Sequence, residues 1–260
     1  MKKYFKIFTM SLKNSTVYLK DFILGNTFIL LIITIDILLW KNLYGSNVKT
    51  GFTYSQIIWY LIINQTVFSS NMDLFRRIET DIKSGNIAYD LNKPYSYPFF
   101  VLFDSLGKNV LGFAINLIFG ALIGIFTVGI IPSFKLVNLI PMLILMMMGV
   151  ILNLLIYILI SLTSFWFEEN KPFVWIYRQF VFAFGGFLIP ITLFPKALYN
   201  LTLHMPWTYI AFHTANTCVK FDLNTFISTF AWQAGYIIAI ALAIVIVFKK
   251  GAEKLNVNGG

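Results

Sequence analysis

Residues Asp73–Pro94, DLFRRIETDIKSGNIAYDLNKP, are the one long polar island between strongly apolar blocks. Within it Leu74, Phe75, Ile78 and Ile82 follow the three-to-four spacing of a single helix face, while Arg76, Arg77, Glu79, Asp81 and Lys83 take most of the remainder. Gly85 can end that helix in a left-handed cap, and Pro94 closes the loop behind it. A short amphipathic helix hung between two apolar blocks suits docking onto something outside the bilayer. The alternative is a solvated helix resting on lipid headgroups.

The blocks on either side fix the class. The chain has 260 residues, 58% hydrophobic, with mean hydropathy +0.76 and only 12% charged. Soluble domains carry about 25% charged residues, so a soluble fold cannot hide this much apolar surface. An integral membrane protein is expected. The net charge of +9 would suggest nucleic acid in a soluble protein, but the placement of the basic residues explains it better, and no nucleic-acid partner is expected. A single cysteine, Cys218, excludes an internal disulfide. No cleavable signal peptide is expected: the lysine-rich opening leads into a full-length apolar block with no A-x-A site after it.

In residues 1–20, Lys6, Lys13 and Lys20 recur every seventh residue, as do Phe5, Leu12 and Leu19. That gives one basic and one apolar face, as in a helix lying in the membrane interface. A helical crossing needs about 20 apolar residues. Blocks of that order run 22–40, 54–71, 99–130, 139–167, 173–189 and 226–248, so an all-α fold of six transmembrane helices is expected, the fifth the least regular. Basic residues concentrate in the N-terminal segment, the 73–98 loop, the 168–178 turn and the C-terminal tail, whereas the other side has Lys41, Lys49, Lys135, Lys196 and Lys220. By the positive-inside rule both termini and the 73–98 loop are cytoplasmic.

The third block is too long for one straight crossing. Its opening, 99–108, should sit at the interface with Asp104 and Lys108 one turn apart and able to pair, and Gly112, Gly120 and Gly124 should offer surface for close helix packing. After the fifth block Gly185, Gly186, Pro190 and Pro195 forbid a continuous helix. Short helices that dip into the outer leaflet and return would make 185–222 a gate; a plain interfacial loop is the alternative. Irregular backbone at that depth must be buried in protein or line a cavity.

Catalytic and nucleotide motifs are missing from the sequence. It has no GxxxxGK[ST], HExxH, CxxC or GxSxG, so no enzyme activity is expected of this chain. His204, His213 and Cys218 have spacings that match no common metal-ligand pattern, and no metal is expected. Glu168–Glu169 reads as a solvated helix boundary or a contact for a cytosolic partner. Asp36 is an intramembrane acid, yet only a turn from Trp40 and Lys41, within reach of headgroups. Gln56, Tyr60 and Asn64 recur every fourth residue, with Asn71 roughly in line, and form a polar stripe. Such a stripe either bonds across a helix interface or faces a translocation path. Asn153, isolated on the fourth block, reads as interhelical glue.

Three segments carry a likeness to a known family. Ile78–Pro94, IETDIKSGNIAYDLNKP, is similar to an acidic-Gly-Ile-x-x-x-Leu-x-x-Pro loop. Ser164–Asn170 is SFWFEEN, and Gly185–Trp207, GGFLIPITLFPKALYNLTLHMPW, is similar to a Gly-x-x-x-Pro-x-x-x-Phe-Pro signature. The Gly-Gly ending also fits. The chain resembles, over nearly its whole length, the membrane permease subunits of ABC-2-type ABC transporters, in the prokaryotic six-span branch encoded beside a separate ATPase. It departs where FHTAN (Phe212–Asn216) replaces an expected Tyr-x-Pro.

The resemblance implies a single domain over 1–260 in a bacterial plasma membrane. Residues 1–20 would be an interfacial connector. A coupling helix with Leu74, Phe75, Arg77, Ile78, Glu79, Asp81, Ile82 and Gly85 would seat in the ATPase. Gln56, Tyr60 and Asn64 would line the path, and Gly185, Gly186, Pro190, Phe194 and Pro195 would form the outer gate. Two ATPase copies would carry the ATP and Mg, this chain holding no cofactor, and a second permease would complete a homo- or heterodimer surrounded by lipid. The function implied is export of a hydrophobic or amphipathic substrate, a drug, peptide or lipid. A secondary transporter or channel is the runner-up, set back by few intramembrane charges and no visible internal repeat.

Overall fold

The computed structural model describes residues 2–17, 19–46, 50–68, 74–131, 134–167 and 169–258, with side chains described outside 19–30 and 255–258. Asn71, Asp73, Glu168, Lys49 and the Gly-Gly ending lie outside the described residues, as does the side chain of Lys20. Among the described residues the regular structure is entirely helical.

Among the described residues three helices are long and apolar enough to cross a membrane: Tyr97–Val128, Leu136–Phe165 and Leu223–Lys254. In chain order the elements are α1 (Lys2–Val17), α2 (Leu19–Gly45), α3 (Tyr54–Phe68), α4 (Leu74–Lys83), α5 (Ile87–Leu91), α6 (Tyr97–Val128) and α7 (Leu139–Ser161). They continue with α8 (Lys171–Phe184), α9 (Lys196–Thr202), α10 (Pro206–Ile210), α11 (Phe212–Val219) and α12 (Leu223–Asn258). The second expected crossing is a helix of 15 residues and the fifth a helix of 14. At about 1.5 Å per residue, neither described stretch reaches across a hydrocarbon core of about 30 Å by itself.

The centre of the molecule is α3, whose residues from Ile57 to Val67 are all buried. It packs against α2, α6, α7 and α11. Two of the three glycines expected to allow close packing account for the α3–α6 contact: a Cβ at Gly120 would lie 2.7 Å from Ile62 Cγ2, and one at Gly124 2.9 Å from Trp59. On the other side of α6, a Cβ at Gly107 would lie 2.9 Å from Ser11 Cβ, so α1 approaches nearly backbone to backbone.

The partners of α1 rise along α6 as α1 itself proceeds. Lys3 Nζ donates to the Pro94 carbonyl, Tyr4 packs on Phe99 and Phe103, and Ser11 meets Asp104 and Gly107. The two helices therefore run parallel. Helix α6 has 32 residues, an excess of about three turns over a hydrocarbon core. The charges Asp104 and Lys108 place that excess at its start, beside α1 and α4.

Candidate functional site

At the charged end, α4 is amphipathic as its spacing predicts, and its apolar face is turned inward. Leu74, Ile78 and Ile82 are buried, Ile78 completely, against α7 and the 3-10 turn Leu162–Phe165. Phe75 is half-buried. Arg76, Thr80 and Lys83 face outward, followed by Ser84, Gly85 and Asn86, and Tyr89 projects with 75% of its surface exposed. Of the residues picked from the sequence for docking, three thus anchor α4 to its own chain. What a partner can touch is the polar rim and the α5 turn.

The helix stops where the sequence places the stop, with Gly85 at φ 74°, a conformation that would strain any residue bearing a Cβ. Four of its polar residues are paired. Glu79 accepts from Lys83 at 2.6 Å, Asp81 accepts from the Tyr97 hydroxyl at 2.7 Å, and Arg77 bridges Asp81 at 3.9 Å and Asp104 more closely. Asp104 also accepts from Lys108 at 2.7 Å, the pairing expected from their spacing, and from Ser11. Beyond α5, hydrogen bonding to Asp90 holds the Lys93 ammonium above its ordinary range.

The SFWFEEN segment comes to the same place. Asn170 is fully buried and closes the end of α7. Its Nδ2 donates to the Ser161 carbonyl at 2.7 Å and to Ser164 Oγ, while its Oδ1 accepts from Thr163 at 2.8 Å. This amide occupies a carbonyl that a helix end otherwise leaves open. The turn so held presents Trp166 and Phe167, both exposed, beside Lys83. Together they line an open depression of about 520 Å³, with Ile82, Phe165 and Glu169 in its wall. Two segments 80 residues apart in sequence therefore make one surface.

The second candidate region joins two sets that the sequence kept apart. Gly185 caps α8, and Gly186 turns the chain at φ 77°. The carbonyl of Gly186 accepts from the Tyr60 hydroxyl, and Asn64 Nδ2 donates to the carbonyl of Phe187 at 3.1 Å. The stripe on α3 thus bonds across a helix interface, occupying backbone groups released where α8 breaks. Gln56 is separate: its Oε1 accepts from Thr53 N at 2.9 Å and Thr53 Oγ1 accepts from Gln56 N at 3.3 Å, the reciprocal capping box that starts α3. Pro190 is buried and opens the 3-10 turn Ile191–Leu193, Phe194 is half-buried, and exposed Pro195 starts α9.

One contributor was not singled out in the sequence. Gln233, buried on α12, donates through Nε2 to the Tyr209 carbonyl at 2.9 Å, the Leu145 carbonyl at 3.2 Å and Thr214 Oγ1 at 2.8 Å. The signal was visible, since it is the one amide in the apolar block 226–248. His213, stacked on Tyr209 with ring centroids 4.1 Å apart, bonds the Leu203 carbonyl, while Cys218 lies buried near Met142. Asn153 accepts from Tyr177 at 2.7 Å and so ties α7 to α8, as its isolation suggested. Asp36 is half-buried on α2. A wholly apolar cleft of about 380 Å³ lies between α3, α6 and α7, walled by Trp59, Ile62, Leu117, Ile125, Met142 and Met146 among others.

Membrane-length helices joined by a folded polar module at one end and a broken, protein-buried backbone at the other define a multi-pass membrane protein. The model of the ABC-2 family transporter protein matches residues 30–259, and the chain belongs to that family. Membership carries with it partnership with an ABC ATPase. No relative matches among curated proteins.

Proposed function

We propose that this chain is the permease subunit of an ATP-driven ABC exporter in a bacterial plasma membrane. In this reading it crosses the membrane six times with both termini cytoplasmic. It forms the path with a second permease, like or related, and two separate ATPase chains bind ATP and Mg. Helix α4 is the coupling helix. Its inner face, Leu74, Ile78 and Ile82, fixes it to α7, while Arg76, Thr80, Lys83 and Tyr89 meet the ATPase together with Trp166 and Phe167. Closure of the ATPases would bias the permease pair between inward- and outward-facing states, through their unequal binding to the two.

The observation that carries this reading is the meeting of the 78–94 loop with the 164–170 turn on a single exposed surface beside the 520 Å³ depression. A hydrophobic or amphipathic substrate suits a molecule whose cleft between α3, α6 and α7 is wholly apolar. In the same reading Gly185, Gly186, Pro190, Phe194 and Pro195 close the path outside, and Tyr60 and Asn64 hold that closure from within. Co-expression with an ABC ATPase from the same genome tests the proposal. The two proteins should co-purify, and the permease should alter the rate of Mg-ATP hydrolysis in vesicles. Hydrolysis indifferent to the permease, with no co-purification, would sink it.

A further inference from the structure

The carboxylate of Asp104 gathers donors from three separate elements. Oδ1 accepts from Ser11 on α1, and Oδ2 accepts from Arg77 on α4 and from Lys108 on α6 itself at 2.7 Å. The Asp104 side chain keeps only 12% of its surface. Two neighbouring contacts extend the cluster. Arg77 lies over the Phe100 ring at 5.1 Å and reaches Asp81, which in turn accepts from Tyr97 at the start of α6. Gly107 permits the arrangement, since a side chain there would push α1 away and take Ser11 out of reach.

Resting on the permease reading, we infer that Asp104 is the positioning residue that locks α1, α4 and the first three turns of α6 into one moving body. The division of contacts on α4 leads to this. Its apolar face is committed to α7 and the turn after it, so packing delivers a push on α4 to α7. Its polar side reaches α6 through Arg77–Asp104 and Tyr97–Asp81, and α1 through Ser11 on the same carboxylate. Charge-assisted hydrogen bonds in a half-dry setting are stronger and more directional than neutral ones. Removing the shared anion leaves Lys108 without a counter-charge and Arg77 with the more distant Asp81 alone, which loosens all three ties together. Loss of a surface pair would undo one. The lock directs ATPase movement into α6, the helix that packs on the central α3, as well as into α7.

Paired spin labels in the permease–ATPase complex test this without knowledge of the substrate. Labels are placed by Lys13→Cys with Thr80→Cys, and by Thr80→Cys with Glu253→Cys, in a Cys218→Ala background; all three label sites are exposed. Distances are read without nucleotide and with trapped Mg-ATP in vesicles of phosphatidylethanolamine and phosphatidylglycerol. The 80–253 separation should shift by about 2 Å or more on trapping, the scale of interface helix motions, while the 13–80 separation stays fixed. With Asp104→Asn added, the 13–80 separation should shift too. Ser11→Ala, which keeps both ion pairs, should give a smaller shift and serves if Asp104→Asn does not assemble. A 13–80 shift in the unmodified chain, or a fixed separation in both variants, overturns the inference and leaves the permease reading standing. A complex in which trapping moves neither pair overturns both.

Discussion

The two ends of the molecule solve the same problem with different chemistry. At the α4 end, helices are tied by charge. The ion pairs among the described residues all fall between Arg77 and Lys108, and Asp104 serves two of them. Toward the other end, described contacts come chiefly from neutral side chains reaching backbone carbonyls: Tyr60 and Asn64 to the Gly186–Phe187 turn, Thr214 and Gln233 to Tyr209, Tyr236 to His204, with exposed Lys220 donating to Gly51. The difference follows from what each end must satisfy. Charges are tolerable where water can share them. Broken helices release carbonyls at a depth where water is scarce, and a neutral donor meets them without the cost of burying an ion.

Ile78→Asp should break the charged end most severely. It puts a carboxylate where the wild-type side chain is fully buried against α7, with Arg77 and Lys83 of the same helix already engaged. A loss of about 4 kcal/mol or more is expected, the range of buried unpaired charges. Limited proteolysis at Arg76–Arg77 reads it as release of α4. Tyr89→Asp, on the exposed surface, should leave that cleavage pattern unchanged and weaken capture of the ATPase at least tenfold. If both variants behaved alike, the division of α4 into an anchoring face and a presenting rim would be wrong.

Gln233→Leu is the corresponding blow at the other end. It withdraws one amide from three acceptors on α7, α10 and α11. About 2 kcal/mol should be lost, since one shared donor leaves the Tyr209 and Leu145 carbonyls under-satisfied. A thermal scan in detergent should show the drop, with no change in sensitivity to salt. Tyr60→Phe removes a single hydroxyl from the Gly186 carbonyl and should cost about 1 kcal/mol, near the usual worth of one hydrogen bond between membrane helices. Its scan should fall between those of Gln233→Leu and the unmodified chain.

How far the sequence disclosed this arrangement depended on the range of the interactions. Local patterns were legible: the α4 amphipathy, its stop at Gly85, the Asp104–Lys108 pair and the break at Gly185–Gly186 each depend on neighbours within a few residues. The direction in which the α4 apolar face points was not legible, because a face that anchors and a face that docks share one spacing. Nor was the bond from Tyr60 to Gly186, which spans 126 residues and needs the packing of α3 against the broken segment. Gln56 stands at a spacing of four from Tyr60 and Asn64, while its side chain bonds Thr53, three residues away.

The smallest expected effect sharpens the comparison most. Glu79 and Lys83 are 2.6 Å apart, but the lysine side chain keeps 43% of its surface, so water competes for it and its freedom is lost on pairing. Glu79→Gln should therefore change stability by no more than about 0.5 kcal/mol, and the change should vanish at high salt. Arg77→Met removes a contact of the same formal kind, yet it strips a cation from a carboxylate shared with Ser11 and Lys108, and it should cost several times more. Equal effects from the two, measured by thermal scans at low and high ionic strength, would mean that the charged end is held by the number of its ion pairs. The expected inequality means instead that it is held by the one carboxylate that three helices share.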